Sequence, residues 1–271
     1  MTYKTILVHL QPGQQHAALL HLAARLADRY GAALWGVAAS QPMHPLVAAR
    51  CPEKSLIDDE LEGELKVSEH TFYATLGERP GGVKWLAQSD CPSVTQFIGN
   101  AARSADLILT DAIPAVFFNA PPQIDVGDLL MRAGRPLLVT PSSARPLMFQ
   151  HALVAWNDSR ECRRAAADAL PLLRESGRVS VVQLTSRDGE STAKAQLNNV
   201  IRWLASHGIV ATALVLRDSG DTQQIELVAG EHACDLIVAG AYGHSRLREW
   251  AFGGVTRALL SQQHISVMLS Q

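Results

Sequence analysis

Apolar and polar positions along this chain follow one order twice. The first half opens on ILVHLQPG (Ile6 to Gly13), an apolar run broken by a polar turn. The second opens on ALVAWNDS (Ala152 to Ser159), with the same character. Each turn leads into a stretch with helical spacing of apolar residues: HAALLHLAARLADRYG, then ECRRAAADALPLLRESG. Both stretches end at a glycine, Gly31 and Gly177, a residue that readily stops a helix. A second strand follows each time, AALWGVAAS and RVSVVQLTS. Then come longer helical segments, SLIDDELEGELKVSEHTFYATLG and STAKAQLNNVIRWLASHG. A third strand (VKWLAQ; VATALVLR) and a further helix (PSVTQFIGNAARS; DTQQIELVAGEHAC) precede DLILTD and DLIVAG, the fourth strands. PLLVT and ISVML are the fifth. Strands alternating with helical segments predict βαβ units and a parallel sheet. The DLI runs are apolar almost throughout, as strands buried on both faces are.

The repeat can be placed by number. An offset of 129 carries Asp106 onto Asp235 and, without insertion, RPLLV onto HISVM. An offset of 146 carries Ile6 onto Ala152. The joint, PSSARPLMFQ (Pro141 to Gln150), is rich in proline and serine. The predicted domains are therefore residues 1–145 and 146–271, each a five-stranded, mostly parallel sheet flanked by helices. Each half, at roughly 130 residues, can bury its own core.

Composition narrows the function. Of 271 residues, 24 are Lys or Arg and 26 Asp or Glu, so no basic excess points to nucleic acid. MTYKTILVHL passes straight into a strand and lacks the apolar core of a secretory signal. No run approaches the roughly 18 apolar residues of a membrane span. The cysteines (Cys51, Cys91, Cys162, Cys234) are far apart and form no CxxC pair, which fits reduced thiols and a cytoplasmic protein. His16 and His21 are five apart, off the spacing that aligns metal ligands on one helix face, and are expected at the surface. DDELEGE (Asp58 to Glu64) reads as a solvated helix face. Ser159, His207 and Asp218 lack any GxSxG context, so no nucleophile or other catalytic residue is assigned.

One stretch carries chemistry: GAYGHSRLREWAFGGVT, residues 240 to 256. The fourth strand is expected to end at Ala239 and the loop to begin at Gly240, beyond a strand's carboxyl end, where open α/β sheets bind ligands. Gly240, Gly243, Gly253 and Gly254 would let the backbone approach an anion. Gly253 and Gly254 directly precede VTRALLSQQ, a predicted helix whose first N–H groups would face a phosphate. His244, Ser245, Arg246 and Arg248 could add contacts, and Trp250 and Phe252 would anchor the loop. The competing reading is a tight turn that binds nothing. Neither GxxxxGK[ST] nor GxGxxG occurs.

G-x2-G-x9-G from Gly240 to Gly253, followed by GVT, resembles the nucleotide loop of the universal stress protein family. ALVAWNDSRECRRAAADAL resembles that family's first strand and helix, and HISVMLS its last strand. Through the repeat, the whole chain resembles a tandem universal stress protein. The resemblance implies two Rossmann-like domains of the adenine nucleotide alpha hydrolase-like kind. It implies ATP or AMP, with Mg, in the C-terminal half, and at most weak hydrolysis. Gly240, Gly243, Gly253, Gly254 and Val255 would hold phosphate and ribose, with His244, Arg246 and Thr256 beside them. Leu184 and Ala239 would line the adenine pocket. Asn157 stands where nucleotide-binding members carry an acidic residue, and Gly254 where they carry Ser or Thr.

The first half departs further from that pattern. Asp111, Pro114, Ile124 and Asp125 lie opposite Gly240, Gly243, Gly253 and Gly254, and Gln11 stands at the acidic position. Two carboxylates and a proline without an N–H do not make a phosphate cradle. A non-nucleotide interaction protein of the same fold is therefore an alternative. An enzyme acting on adenylated substrates is a third, by fold analogy alone. The family's last strands pair at dimer interfaces, so the resemblance also implies an internal pseudo-dimer through PLLVT and ISVML, with a homodimer as further association.

Overall fold

The computed structural model describes residues 2–41, 54–112, 124–141, 147–221, 223–241 and 264–271. Contacts divide the chain into two units, Tyr3–Arg135 and Pro136–Gln271.

The first unit runs β1 (Thr5–His9), α1 (Ala17–Tyr30), β2 (Ala33–Ala39), α2 (Lys54–Leu76), β3 (Val83–Gln88), α3 (Val94–Ala102), β4 (Leu107–Asp111) and α4 (Val126–Ala133). Its strands lie in the order β3-β2-β1-β4, all parallel, with Ile6 opposite both Leu34 and Leu107. On α1 the buried residues are Leu19, Leu20, Leu22, Ala23, Leu26 and Ala27, the stripe that a period of about 3.6 turns toward a sheet. Gly31 ends α1 at φ 61°, where a side chain would be strained, and its N–H reaches the Ala27 carbonyl.

The second unit holds β5 (Leu137–Thr140), β6 (His151–Ala155), α5 (Arg160–Asp168), α6 (Leu170–Glu175), β7 (Arg178–Thr185) and α7 (Glu190–Ser206). It continues through β8 (Ala211–Arg217), α8 (Gln224–Glu231), β9 (Leu236–Gly240) and β10 (Ser266–Ser270). Its strand order is β5-β10-β9-β6-β7-β8. All pairs are parallel except β5 with β10, where Leu138 faces Met268 and Val139 faces Val267. Each half thus supplies five strands, and PLLVT does pair with ISVML. Because β5 packs on β10, contacts divide the chain after Arg135, earlier than the proline-serine joint near residue 146.

Two local expectations are corrected. The helix read from ECRRAAADALPLLRESG is two helices, broken at Ala169 ahead of Pro171, which has no N–H to offer. Gly177 is not a left-handed cap, since Ser176 ends α6 in an extended conformation. A Cβ on Gly177 would stand 3.1 Å from the Gln150 carbonyl oxygen, so close approach favours glycine there.

The repeated DLI aspartates do the same work in both units. Asp106 Oδ2 accepts the backbone N–H groups of Lys4 (2.7 Å) and Thr5 (3.0 Å). Asp235 accepts those of Met148 (3.1 Å), Gln150 (3.0 Å) and His151 (3.1 Å). Each ties the entry of a central strand, β1 or β6, to its neighbour. No helix among the described residues is long and apolar enough to cross a membrane.

Candidate functional site

In the second unit the chain winds from β6 to β7 and β8 on one side, then returns to β9 on the other side of β6. The carboxyl ends of β6 and β9 therefore flank a topological switch point, the usual place for a ligand. Register sets Ala155, Val182 and Ala239 at one level there. Beyond Ala155 come Trp156, whose N–H meets the Val182 carbonyl, and Asn157.

Asn157 is exposed and held from one end. Its Oδ1 accepts the Ser159 N–H (3.1 Å) and the Cys162 thiol (2.9 Å). Its amide nitrogen has no hydrogen-bond partner among the described residues, leaving N–H donors for a polar edge. Asp158 sits at φ 54°, which swings the turn into α5. Ser159 caps that helix, accepting from the Cys162 N–H. Asp158 also accepts from Arg163 (3.1 Å) and from Gln196 on α7 (3.3 Å), which ties the turn to its neighbours. Leu184 is half-buried near the end of β7 and Ala239 is buried in β9, so both offer apolar surface at this end of the sheet.

Gly240 is the last residue of β9, paired with Ser270, rather than the first of a loop. A Cβ there would stand 2.5 Å from the Cys162 nitrogen and 2.6 Å from the Glu161 carbonyl carbon. The glycine lets β9 pass under the first turn of α5, and packing alone requires it. Gly243, His244, Arg246, Gly253, Gly254, Val255 and Thr256 lie outside the described residues. Ser159, His207 and Asp218 each have a local role: Ser159 caps α5, His207 follows α7 and packs edge-on against Trp203, and Asp218 accepts from the Gly220 N–H.

The equivalent end of the first unit is built differently. Asp111 and His16 form a pair, 2.6 Å from Oδ2 to Nδ1, and the other ring nitrogen of His16 meets the Gln11 carbonyl oxygen at 2.8 Å. His16 is therefore buried, not at the surface as its spacing suggested, while His21 is exposed. Asp125 caps α4 by accepting from the Asp128 N–H, and its own N–H goes to Thr95. A carboxylate thus occupies the helix start where a phosphate would have to sit.

Beside these residues is a small cleft open to solvent. His9, Gln11, Pro12, Ala39, Ser40, Gln41, Leu61, Glu64, Val94 and Ile124 line it. His9 is the last residue of β1, and its Nδ1 lies 2.9 Å from the Thr110 hydroxyl. Burial, with the neighbouring His16 second, pulls its pKa down to about 3, so His9 is neutral. Partial burial, and Glu60 next to it, hold the Glu64 carboxyl above its ordinary pKa. Sequence reasoning missed this cleft. Its one signal was a histidine inside the apolar run ILVHL.

The universal stress protein family model matches residues 148–271. No curated protein matches the chain. Among solved structures, a universal stress protein from Archaeoglobus fulgidus DSM 4304 superposes with a TM-score of 0.71 at 12% identity, covering 98% of each chain. A functionally unknown protein from Pseudomonas aeruginosa PAO1 gives a TM-score of 0.65 at 19% identity, covering 99% of this chain and 92% of that one. At such identities the likeness shows the fold, and it spans both halves.

Proposed function

From the match of the universal stress protein family model to residues 148–271, we propose that this half is a universal stress protein domain that binds an adenine nucleotide, ATP with Mg or AMP, with little or no hydrolysis. The observation that carries the reading is Asn157. It stands at the switch point with its oxygen already engaged and its amide N–H groups unpartnered among the described residues. A base with an acceptor on its edge suits that donor. Leu184 and Ala239 offer the apolar surface against which a flat ring packs. The backbone of Gly243, Gly253, Gly254 and Val255, with His244, Arg246 and Thr256 beside them, supplies the phosphate and ribose contacts in this reading. No side chain is given a catalytic role.

Calorimetric titration of the whole chain with Mg-ATP tests it, beside a variant carrying Gly253→Val and Gly254→Val. Micromolar binding of one nucleotide per chain, lost in the folded variant, is the expected result. An absence of heat at millimolar ATP rejects the reading. Gly240 is unsuited to this test because packing against α5 already requires it. That packing role also favours a second reading, an interaction protein of the same fold that binds no nucleotide.

The cytoplasm is the compartment we assign, since Cys91, Cys162 and Cys234 are free and buried. The β5–β10 pairing supplies within one chain the strand contact that the family makes between chains. Two chains associating further would sediment as a homodimer, and sedimentation of only the 29.3 kDa species at high concentration would exclude that step.

A further inference from the structure

We propose that His151 is an acid sensor built into the amino end of the second unit: it takes up a proton inside the folded chain, and the charged ring then grips the C-terminal end of α8. The proposal stands apart from the nucleotide reading, which concerns the opposite ends of the same strands.

His151, the first residue of β6, is 4% exposed, and so is Ser180 on β7. Thr212 lies opposite Ser180 on β8, the edge strand, and is exposed. The three side chains form one line from core to surface. His151 Nε2 lies 2.8 Å from the Ser180 hydroxyl, which lies 3.1 Å from Thr212 Oγ1. At the inner end, His151 Nδ1 meets the carbonyl oxygen of His232, the residue that follows α8, at 2.9 Å. At the outer end, Thr212 Oγ1 lies 3.4 Å from the Val179 carbonyl oxygen.

A carbonyl accepts and never donates, which fixes the direction of the other bonds. Nδ1 therefore carries a proton for His232. In the neutral ring Nε2 is an acceptor, Ser180 donates to it, and Thr212 donates to Ser180. In the charged ring Nε2–H donates to Ser180, the Ser180 hydroxyl turns to Thr212, and the Thr212 hydroxyl turns to the Val179 carbonyl. Every hydrogen has an acceptor in both states. Without this reversible chain, protonation would strand a buried donor, which is costly. His9 in the first unit, buried to the same 4%, is held neutral instead.

The surrounding charges favour a cation. The Asp235 carboxylate, ahead of β9, accepts the His151 backbone N–H at 3.1 Å. The C-terminal end of α8 carries the negative pole of the helix dipole, and Glu231 closes that helix. Arg178, opposite His151 on β7, opposes the charge but is exposed, where water and salt screen it. The His232 ring lies edge-on at 6.3 Å and is exposed, so it opposes only when charged itself. Cys234 stays an uncharged thiol, its pKa pushed up to about 11 by burial and then by Asp235.

The test is nuclear magnetic resonance of the whole chain with isotope-labelled histidine at about pH 8 and about pH 5, the span in which histidine changes charge. At the higher pH, Nδ1 should carry a proton and Nε2 none. At the lower pH both should carry one, with the amide spectrum still that of the folded chain. Thr212→Val strands the Ser180 hydroxyl in the charged state and should lower the ratio of protonated to neutral His151 in acid about tenfold. Thr212→Ser keeps the hydroxyl and should restore the ratio. Thr212 is at the surface and has no hydrogen bond to His151, so a purely structural role would leave the ratio unchanged. Amide exchange, corrected for intrinsic rates, should show the last turn of α8 protected about threefold more in acid. The proposal is overturned by an Nε2 proton at the higher pH, a bare Nε2 at the lower, or unfolding before Nε2 gains its proton. A ratio indifferent to Thr212→Val overturns it too, as does an α8 end no better protected in acid. The Mg-ATP titration reads the other end of the sheet, so either result can fail alone.

Discussion

The two halves agree at the amino ends of their central strands and disagree at the carboxyl ends. At the amino ends, Asp106 and Asp235 hold the first strand of each unit through backbone N–H groups. At the carboxyl ends, Gly240 passes under a helix, whereas Asp111 reaches across to His16. Ala155 ends β6, whereas His9, its counterpart, ends β1 and bonds Thr110. A parallel α/β unit needs the first set of contacts to keep its strands in register. It does not need any particular chemistry where the strands stop, and there the halves have diverged.

The largest effect should come from the position where one half uses glycine for packing. Gly240→Val forces β9 away from the first turn of α5 and should cost more than about 4 kcal/mol, measured by urea denaturation. A cost near zero would mean that the glycine serves only a ligand.

The halves should differ next in their response to acid. His9 in the folded chain has a pKa of about 3 against an ordinary 6.5, so the unfolded chain takes up the proton first. The stability that neutral His9 confers is therefore complete above pH 6.5 and is lost as pH falls toward 3. Roughly 3 kcal/mol should disappear across most of that window. His9→Ala gives the first unit the residue that the second carries at this level. It should flatten the dependence of stability on pH, whatever it costs at neutral pH. An unchanged slope would place the acid sensitivity elsewhere.

The smallest effects should be equal. Asp106→Ala and Asp235→Ala each remove a charge-assisted clasp on backbone donors and should each cost about 2 kcal/mol. A loss in only one of them would break the equivalence of the two amino ends.

Most elements could be read from the chain because their signals are local. The period of α1, the alternation of strands with helices and the offset of 129 residues between DLILTD and DLIVAG gave element order and the repeat. The site was only partly legible. Asn157 does lie beyond the end of β6, as its place in the sequence suggested, but Gly240 is the last residue of β9 and carries a packing burden that no spacing reveals. His16 was misread because its partner Asp111 is 95 residues away. Glu64 was assigned to a solvated face because its helix pattern says nothing about the turn at Gly13.

Sequence alone determined the βαβ order, the repeat of DLILTD in DLIVAG and the carboxylates at Asp111 and Asp125, because period, turn chemistry and charge are properties of short segments. Tertiary structure decided that β5 lies antiparallel on β10, that β9 runs against the start of α5, and that His9, Ser40 and Glu64 share one cleft. Those facts depend on which distant segments meet. Apolar strands such as PLLVT and ISVML attract any apolar neighbour alike, and only the close-packed chain selects the partner.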